Sequence, residues 1–310
     1  MKIAAIVAAH NVGPWVATAI ESIARQTRPA TEIVVVENGS TDDTLSVIEQ
    51  TRRELELENR LTLITDKALG PGGARNRGAE AAVDKGADLL AFLDGDDWWQ
   101  PGHLDSIAEM VAKRPQAAAG FGWVLFRSPT GKLVGLRARR KRTFDYRDLC
   151  FQSSPMITAS ALVVRSSDFV RIQGFDSSIP VGEDWEMLLR LTSNGRLLIC
   201  NRRFLVNYRR RPGSAISNPR DTLTGLLAIE KRHPSARRAK HWWWLLVRAL
   251  ESGESPLLGE VMAARPEAQL RDFFSHHFLR YLARRGARTE APQPPSTVSN
   301  NHSTKEPGSE

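Results

Sequence analysis

The sequence predicts an α/β fold built on a mainly parallel central sheet with helices on both faces. Apolar runs of strand length alternate with amphipathic runs of helix length over the first hundred residues. Those runs are apolar throughout rather than at every second position, the pattern of strands buried on both faces. Polar residues stand just beyond each run, where sheets of this kind form a ligand crevice.

The elements follow in order. "IAAIVAA" (3–9) reads as a first strand, and "PWVATAIESIARQ" (14–26) as a helix opening on Pro14 with apolar positions at Val16, Ile20 and Ile23. "EIVVVEN" (32–38) leads into a helix over 41–55, for which Thr41 and Asp42 are natural caps. "LTLIT" (61–65) leads into a helix over 73–86, and "DLLAFLD" (88–94) is a fourth strand. Right-handed crossovers join such strands in one parallel sheet. Residues 119–135 predict a hairpin turning at Thr130 and Gly131, and 158–165 a further strand. "DWEMLLRLTSNG" (184–195) predicts an amphipathic helix with Asp184 as its acidic cap and Gly195 as its stop. Helical pattern continues in "TLTGLLAIEKR", "AKHWWWLLVRALES", "PLLGEVMAAR" and "EAQLRDFFSHHFLRYLARRG". Three regions result: a domain over 1–217, a helical extension over 218–286, and a disordered tail over 287–310 that lacks apolar periodicity.

The formal net charge is +8, and the Lys and Arg excess gathers at 137–142, 202–211 and 230–240, which suits anionic partners as well as a solvated basic face. Two cysteines, Cys150 and Cys200, exclude a disulfide framework or a zinc cluster and read as buried thiols in a reducing compartment. The apolar start is too short for a signal peptide, and no window is long enough to span a membrane. A cytoplasmic protein is expected. The triple Trp242, Trp243 and Trp244 suits core packing, with peripheral contact at the inner face of a membrane as the alternative.

The strand ends collect His10 and Asn11, Glu37 and Asn38, Asp66, and Asp94. Within "AFLDGDDWWQP" (91–101), Asp94, Asp96 and Asp97 repel one another unless a cation neutralises them, and hard oxygen donors suit Mg2+ or Mn2+. The triplet by itself fits an aspartate turn with a helix cap equally well. "LGPGGARNRG" (69–78) matches neither a dinucleotide fingerprint nor a P-loop, but lets backbone approach a ligand and sets Arg75 and Asn76 at a helix start.

Taken together, "VAAHNVGPWVATAIESIARQT", "EIVVVENGSTDDT", "GPGGARNRGAEAA…LLAFLDGDDWWQPGHL" and "GFDSSIPVGEDWEMLLRL" resemble, in order and spacing, the inverting glycosyltransferases of family 2 with the GT-A fold. The resemblance covers roughly residues 1–215. It implies a nucleoside-diphosphate-sugar donor, by default a uridine diphosphate sugar, and a glycan or lipid-linked hydroxyl acceptor, as in cell wall or polysaccharide biosynthesis. By that resemblance Asp96 holds the metal in the family's DXD motif, while Asp94 holds the ribose or completes the metal shell. Glu37 and Asn38 contact base and ribose, His10 lies against the base beside Asn11, and Arg75 faces the nucleotide. Asp184 is the implied base, with Glu183 and Trp185 binding acceptor. "NYRRRPGSAIS" (207–217) resembles the following segment of non-processive members, with Arg210 and Arg211 closing on the diphosphate. A QxxRW motif of processive synthases is not present, so single-sugar transfer is implied.

Two rivals remain: a sugar-phosphate nucleotidyltransferase, which shares paired aspartates but calls for a different glycine-rich first turn, and a non-catalytic basic nucleic-acid-binding protein. The acidic strand ends oppose the latter, and no nucleic-acid partner is expected.

Overall fold

A computed structural model describes residues 1–67, 69–151, 157–211, 214, 218–236, 245 and 255–264. The chain divides into two units, Met1–Val261 and Met262–Glu310. The expected tail and the tryptophan triplet lie outside the described residues.

The first half is a run of βα units: β1 (Ile3–Ala9), α1 (Gly13–Ala24), β2 (Glu32–Asn38), α2 (Thr44–Glu54), β3 (Leu61–Asp66), α3 (Gly70–Asp84) and β4 (Leu89–Asp94). After β5 (Trp98–Trp99) and α4 (His103–Ala112), the long β6 (Ala117–Arg127) turns into β7 (Leu133–Arg137). β8 (Thr143–Phe144), α5 (Tyr146–Phe151) and the 3-10 turn Ala159–Ala161 precede β9 (Leu162–Arg165), α6 (Ser166–Arg171), α7 (Glu183–Thr192) and β10 (Leu197–Arg209). The helices α8 (Pro219–Arg232) and α9 (Ser255–Ala264) follow.

Among the described residues one mixed sheet runs β3-β2-β1-β4-β9-β6-β10-β5, with β7 on β6 and β8 on β10. β1 to β4 are mutually parallel, whereas β9 runs antiparallel between β4 and β6. The chain moves outward from β1 to β3 and then returns to the other side of β1 as β4, so the strand order reverses between β1 and β4. Ligand crevices of α/β sheets open at such a reversal, beyond the carboxyl ends. The register places Ala8 opposite Asp94, which brings His10 and Asn11 beside the acidic loop.

Burial on both faces explains the unbroken apolar runs: the consecutive pairs Ile6 and Val7, Val34 and Val35, and Phe92 and Leu93 are fully enclosed. Gly78 lets α3 lie close on the sheet, since a β-carbon there would come within 2.6 Å of Ile6. Gly95 has ordinary φ; it is needed because a β-carbon would press on Val12 at 2.9 Å and on the Ala8 carbonyl at 3.3 Å. Close approach, rather than a turn conformation, fixes that glycine.

Three boundaries differ from expectation. α2 starts at Thr44, because the Asp42 carboxylate is bonded to the Thr44 N–H at 3.1 Å and to the Gly13 N–H at 3.1 Å, tying two helix starts together from outside. The glycines of 70–73 form the first turn of α3 instead of a loop. α7 is preceded by Gly182 at φ 93°, so Asp184 sits inside its first turn and is not its cap. The hairpin turns where expected, with Gly131 at φ 83°, while residues 158–165 divide into a 3-10 turn and the short β9.

Candidate active site

Asp94 ends β4 and is partly exposed. Arg75, in the second turn of α3 and only 5% exposed, donates through Nη2 to Asp94 Oδ1 at 2.5 Å and through Nη1 to Glu183 Oε1 at 2.7 Å. One guanidinium therefore joins the strand-end loop to the start of α7, residues separated by about ninety positions in sequence. Gly72 makes the junction possible, since a β-carbon there would meet Phe175 at 3.3 Å and Glu183 at 3.5 Å. Asn76 pins the loop before α7 by accepting from the Phe175 N–H and donating to its carbonyl, both at 2.8 Å.

The three aspartates divide. Asp97 is buried and turns inward, where Ser160 Oγ donates to it at 2.6 Å and the Arg209 N–H at 2.7 Å. Ser160 Oγ also accepts the Asp94 N–H at 3.1 Å. Asp96 instead meets Arg211 Nε at 2.5 Å, while Arg209 Nε donates to the Asp96 carbonyl at 2.9 Å. Burial, reinforced by the charge of Asp94, raises the Asp96 pKa; Arg211 opposes the shift. Burial and the charges of Asp96 and Asp94 hold Asp97 well above the usual carboxylate range.

Asp94 and Asp96 supply hard oxygen donors in a spot where like charges already crowd, so they fit a divalent cation, and Arg75 and Arg211 each engage one oxygen of the pair. No group of three or more His, Cys, Asp or Glu side chains arranged for a metal occurs among the described residues. Magnesium-like ions commonly take one or two carboxylates and fill the remaining positions with water and substrate phosphate.

Asp184 is partly buried beside this cluster. Burial and the adjacent Glu183 push its pKa up to about 7, against the pull of Arg75 and of the Trp185 N–H that Asp184 Oδ1 accepts at 2.7 Å. A carboxylate that titrates near neutral pH can take up a proton during a reaction. Glu183 itself is buried on Arg75, and Trp185 is buried with its indole N–H on the Leu149 carbonyl at 3.2 Å.

The opposite wall comes from β1 and β2. His10 Nδ1 lies 3.0 Å from the Asn38 carbonyl, and Asn11, at φ 50°, receives the Thr41 N–H on Oδ1 at 2.9 Å. Glu37 Oε1 accepts the Ser40 N–H at 2.5 Å and Asn38 Oδ1 accepts the Leu69 N–H at 3.0 Å, so Glu37 braces the loop after β2 and Asn38 the loop between β3 and α3.

At the end of β10 and just past it the arginines separate by parity. Arg211 faces Asp96 and lies 5.2 Å from the Trp15 ring centre, and Arg209 lies 4.7 Å from that of Trp98. Arg210 lies across Phe126 at 4.0 Å. Sequence reasoning missed Arg209 and Ser160, and it set Asn76 at a helix start beside a ligand, whereas that side chain is spent on the Phe175 backbone. The strand period of two, which puts Asn207, Arg209 and Arg211 on one face, was the available signal for the first; a 3-10 turn hides the second.

The family model for glycosyl transferase family 2 matches residues 4–172. An uncharacterized glycosyltransferase of Nostoc sp. is 37% identical over 110 residues, which cover 36% of this chain and 33% of that protein. The chain thus spans about a third of the length of that curated relative. S. aureus TarS (1–349) in complex with UDP-GlcNAc superposes with a TM-score of 0.58 at 20% identity, covering 89% of this chain and 75% of that one. A Pyrobaculum calidifontis mannosyltransferase in complex with GDP-Man and Mn2+ gives 0.58 at 17% identity, covering 93% and 80%. The shared fold is GT-A. Because the family match extends over more than half of the residues and takes in β1 to β9, the chain belongs to glycosyl transferase family 2.

Proposed function

We propose that the protein transfers a single sugar from a nucleoside-diphosphate sugar to an acceptor hydroxyl with inversion at the anomeric carbon. The observation that carries this reading is the Arg75 bridge, which joins the acidic strand-end loop to the α7 acidic pair. Residues 1–217 would form the catalytic domain and 218–286 a helical extension. The donor-bound neighbours, one with UDP-GlcNAc and one with GDP-Man, support a sugar-nucleotide donor, with uridine diphosphate as the default base.

In this reading Asp184 accepts the proton of the acceptor hydroxyl. The hydroxyl oxygen forms its bond to the anomeric carbon as the bond from that carbon to the diphosphate oxygen breaks. General-base assistance of this kind contributes about 10²–10⁴-fold. Glu183, held by Arg75, keeps Asp184 partly protonated near neutrality and orients the start of α7. Asp94 and Asp96 would hold Mg2+ or Mn2+, which when bound offsets charge on the leaving diphosphate. Arg211 stands beside Asp96 to meet the same charge, and His10, Asn11, Glu37 and Asn38 form the wall for base and ribose. Trp185 packs behind the acceptor side, which would take a glycan or lipid-linked hydroxyl.

The test is product analysis with a panel of sugar nucleotides, after a thermal-shift screen with and without Mn2+ has identified a donor that binds. Release of nucleoside diphosphate together with an inverted glycoside is expected. Release of pyrophosphate would instead identify a nucleotidyltransferase.

A further inference from the structure

The β6–β7 hairpin carries an apolar strip outside the candidate site. Leu133, Val134 and Leu136 on β7 are 55%, 53% and 57% exposed, and β7 pairs only with β6 among the described residues. Exposed sheet edges are ordinarily blunted by charge or proline. Here three aliphatic side chains stand on such an edge. The surrounding chain is uniformly basic: residues 110–144 contain nine Lys and Arg and no Asp or Glu. Lys132, Arg140 and Arg142 are exposed, and Arg210 adds a further cation over Phe126 of β6.

The hairpin is fastened to the acidic loop. Arg209 donates through Nη1 to the Pro129 carbonyl in the turn at 2.6 Å, and through Nε to the Asp96 carbonyl at 2.9 Å. Anything held by this hairpin is therefore held next to the crevice.

We propose that the β6–β7 hairpin docks the protein on an anionic lipid bilayer, with Leu133, Val134 and Leu136 entering the headgroup region and the flanking Lys and Arg meeting lipid phosphates. Peripheral binding of this type combines buried apolar area with attraction to anionic headgroups. A nucleic-acid duplex offers phosphates but no apolar layer for three aliphatic side chains. Docking in this way would present the crevice to an acceptor embedded in the membrane, and it stands independently of the sugar-transfer reading.

The test is sedimentation of the full chain with vesicles of phosphatidylcholine alone and of equal parts phosphatidylcholine and phosphatidylglycerol. The wild-type protein is expected to bind only the anionic vesicles and to dissociate as salt is raised. Combined Leu133→Ser, Val134→Ser and Leu136→Ser substitutions should weaken binding at least about tenfold. Combined Lys132→Ala, Arg140→Ala and Arg142→Ala substitutions should weaken it about a hundredfold, at about fivefold per basic residue. All six side chains are exposed, so melting temperature is expected to hold and to exclude unfolding as the cause. Absence of binding to anionic vesicles overturns the proposal. So does wild-type binding by the aliphatic triple variant, which would assign the contact to another part of the chain, or a preference for duplex DNA over the vesicles.

Discussion

Replacing Arg75 by Met removes the buried cation that the partly exposed Asp94 and the buried Glu183 share. Arg75 bonds Asp94 at 2.5 Å and Glu183 at 2.7 Å, and its own pKa is raised by both charges despite burial. The Met side chain keeps an apolar stem against Phe175, whose ring centre lies 5.4 Å from the guanidinium carbon. Breaking a buried ion pair from one side costs about 3–5 kcal/mol. For a domain of this size that is a fall in Tm of roughly 6–20 °C. A second effect has a definite sign. Arg75 pulls the Asp184 pKa down, so its loss lets burial and Glu183 push that pKa further above about 7. More Asp184 is then protonated at neutral pH, and the acidic limb of the pH–rate profile moves alkaline. Arg75→Lys keeps the charge with fewer donors and should move both quantities less. Thermal denaturation and sugar-nucleotide turnover across pH read the two effects. A Met variant with the wild-type Tm and an unmoved acidic limb would refute the bridge.

Two further perturbations probe the scaffold. Ser160→Ala removes the hydroxyl that joins the Asp97 carboxylate to the Asp94 N–H, and leaving these buried groups short of a partner should cost about 1–3 kcal/mol. Stabilisation of the variant by Mn2+ plus donor should fall with it; a variant as stable and as responsive as wild type would show that the acidic loop holds its shape without Ser160. His103 is fully buried against Trp99, with no hydrogen-bond partner for either ring nitrogen among the described residues, and burial pushes its pKa down to about 3. Its unfolded form takes a proton below about 6.5, so folded stability is lost as pH falls from 6.5 towards 3, at about 1.4 kcal/mol per pH unit. Denaturant titrations at pH 7 and pH 5 should differ by about 2 kcal/mol from this residue and by less in His103→Phe. An equal loss in that variant would remove His103 as the cause.

Much of the frame was legible because one physical rule governs it. Strands buried on both faces must be apolar throughout, and β1 and β2 span the segments 3–9 and 32–38 read as strands, with His10 and Asn11 just beyond the first. The order of motifs likewise identified the family. Local patterns could not supply contacts made across the chain. Nothing near Arg75 in sequence indicates that its partners are Asp94 and Glu183, and nothing near Asp97 indicates that it turns inward to Ser160 and Arg209. The need for two glycines is hidden for a related reason: Gly72 and Gly95 are set by neighbours brought close in three dimensions, a requirement that leaves no trace in a local turn pattern.

Asp184 is the proposed base of a centre shared by the acidic loop and α7. The most direct measurement compares Asp184→Asn with the wild type, reading nucleoside diphosphate release and donor affinity on the same preparations. The expected result is a rate lower by about 10²–10⁴-fold with donor affinity unchanged. Wild-type turnover in the Asn variant would contradict the assignment.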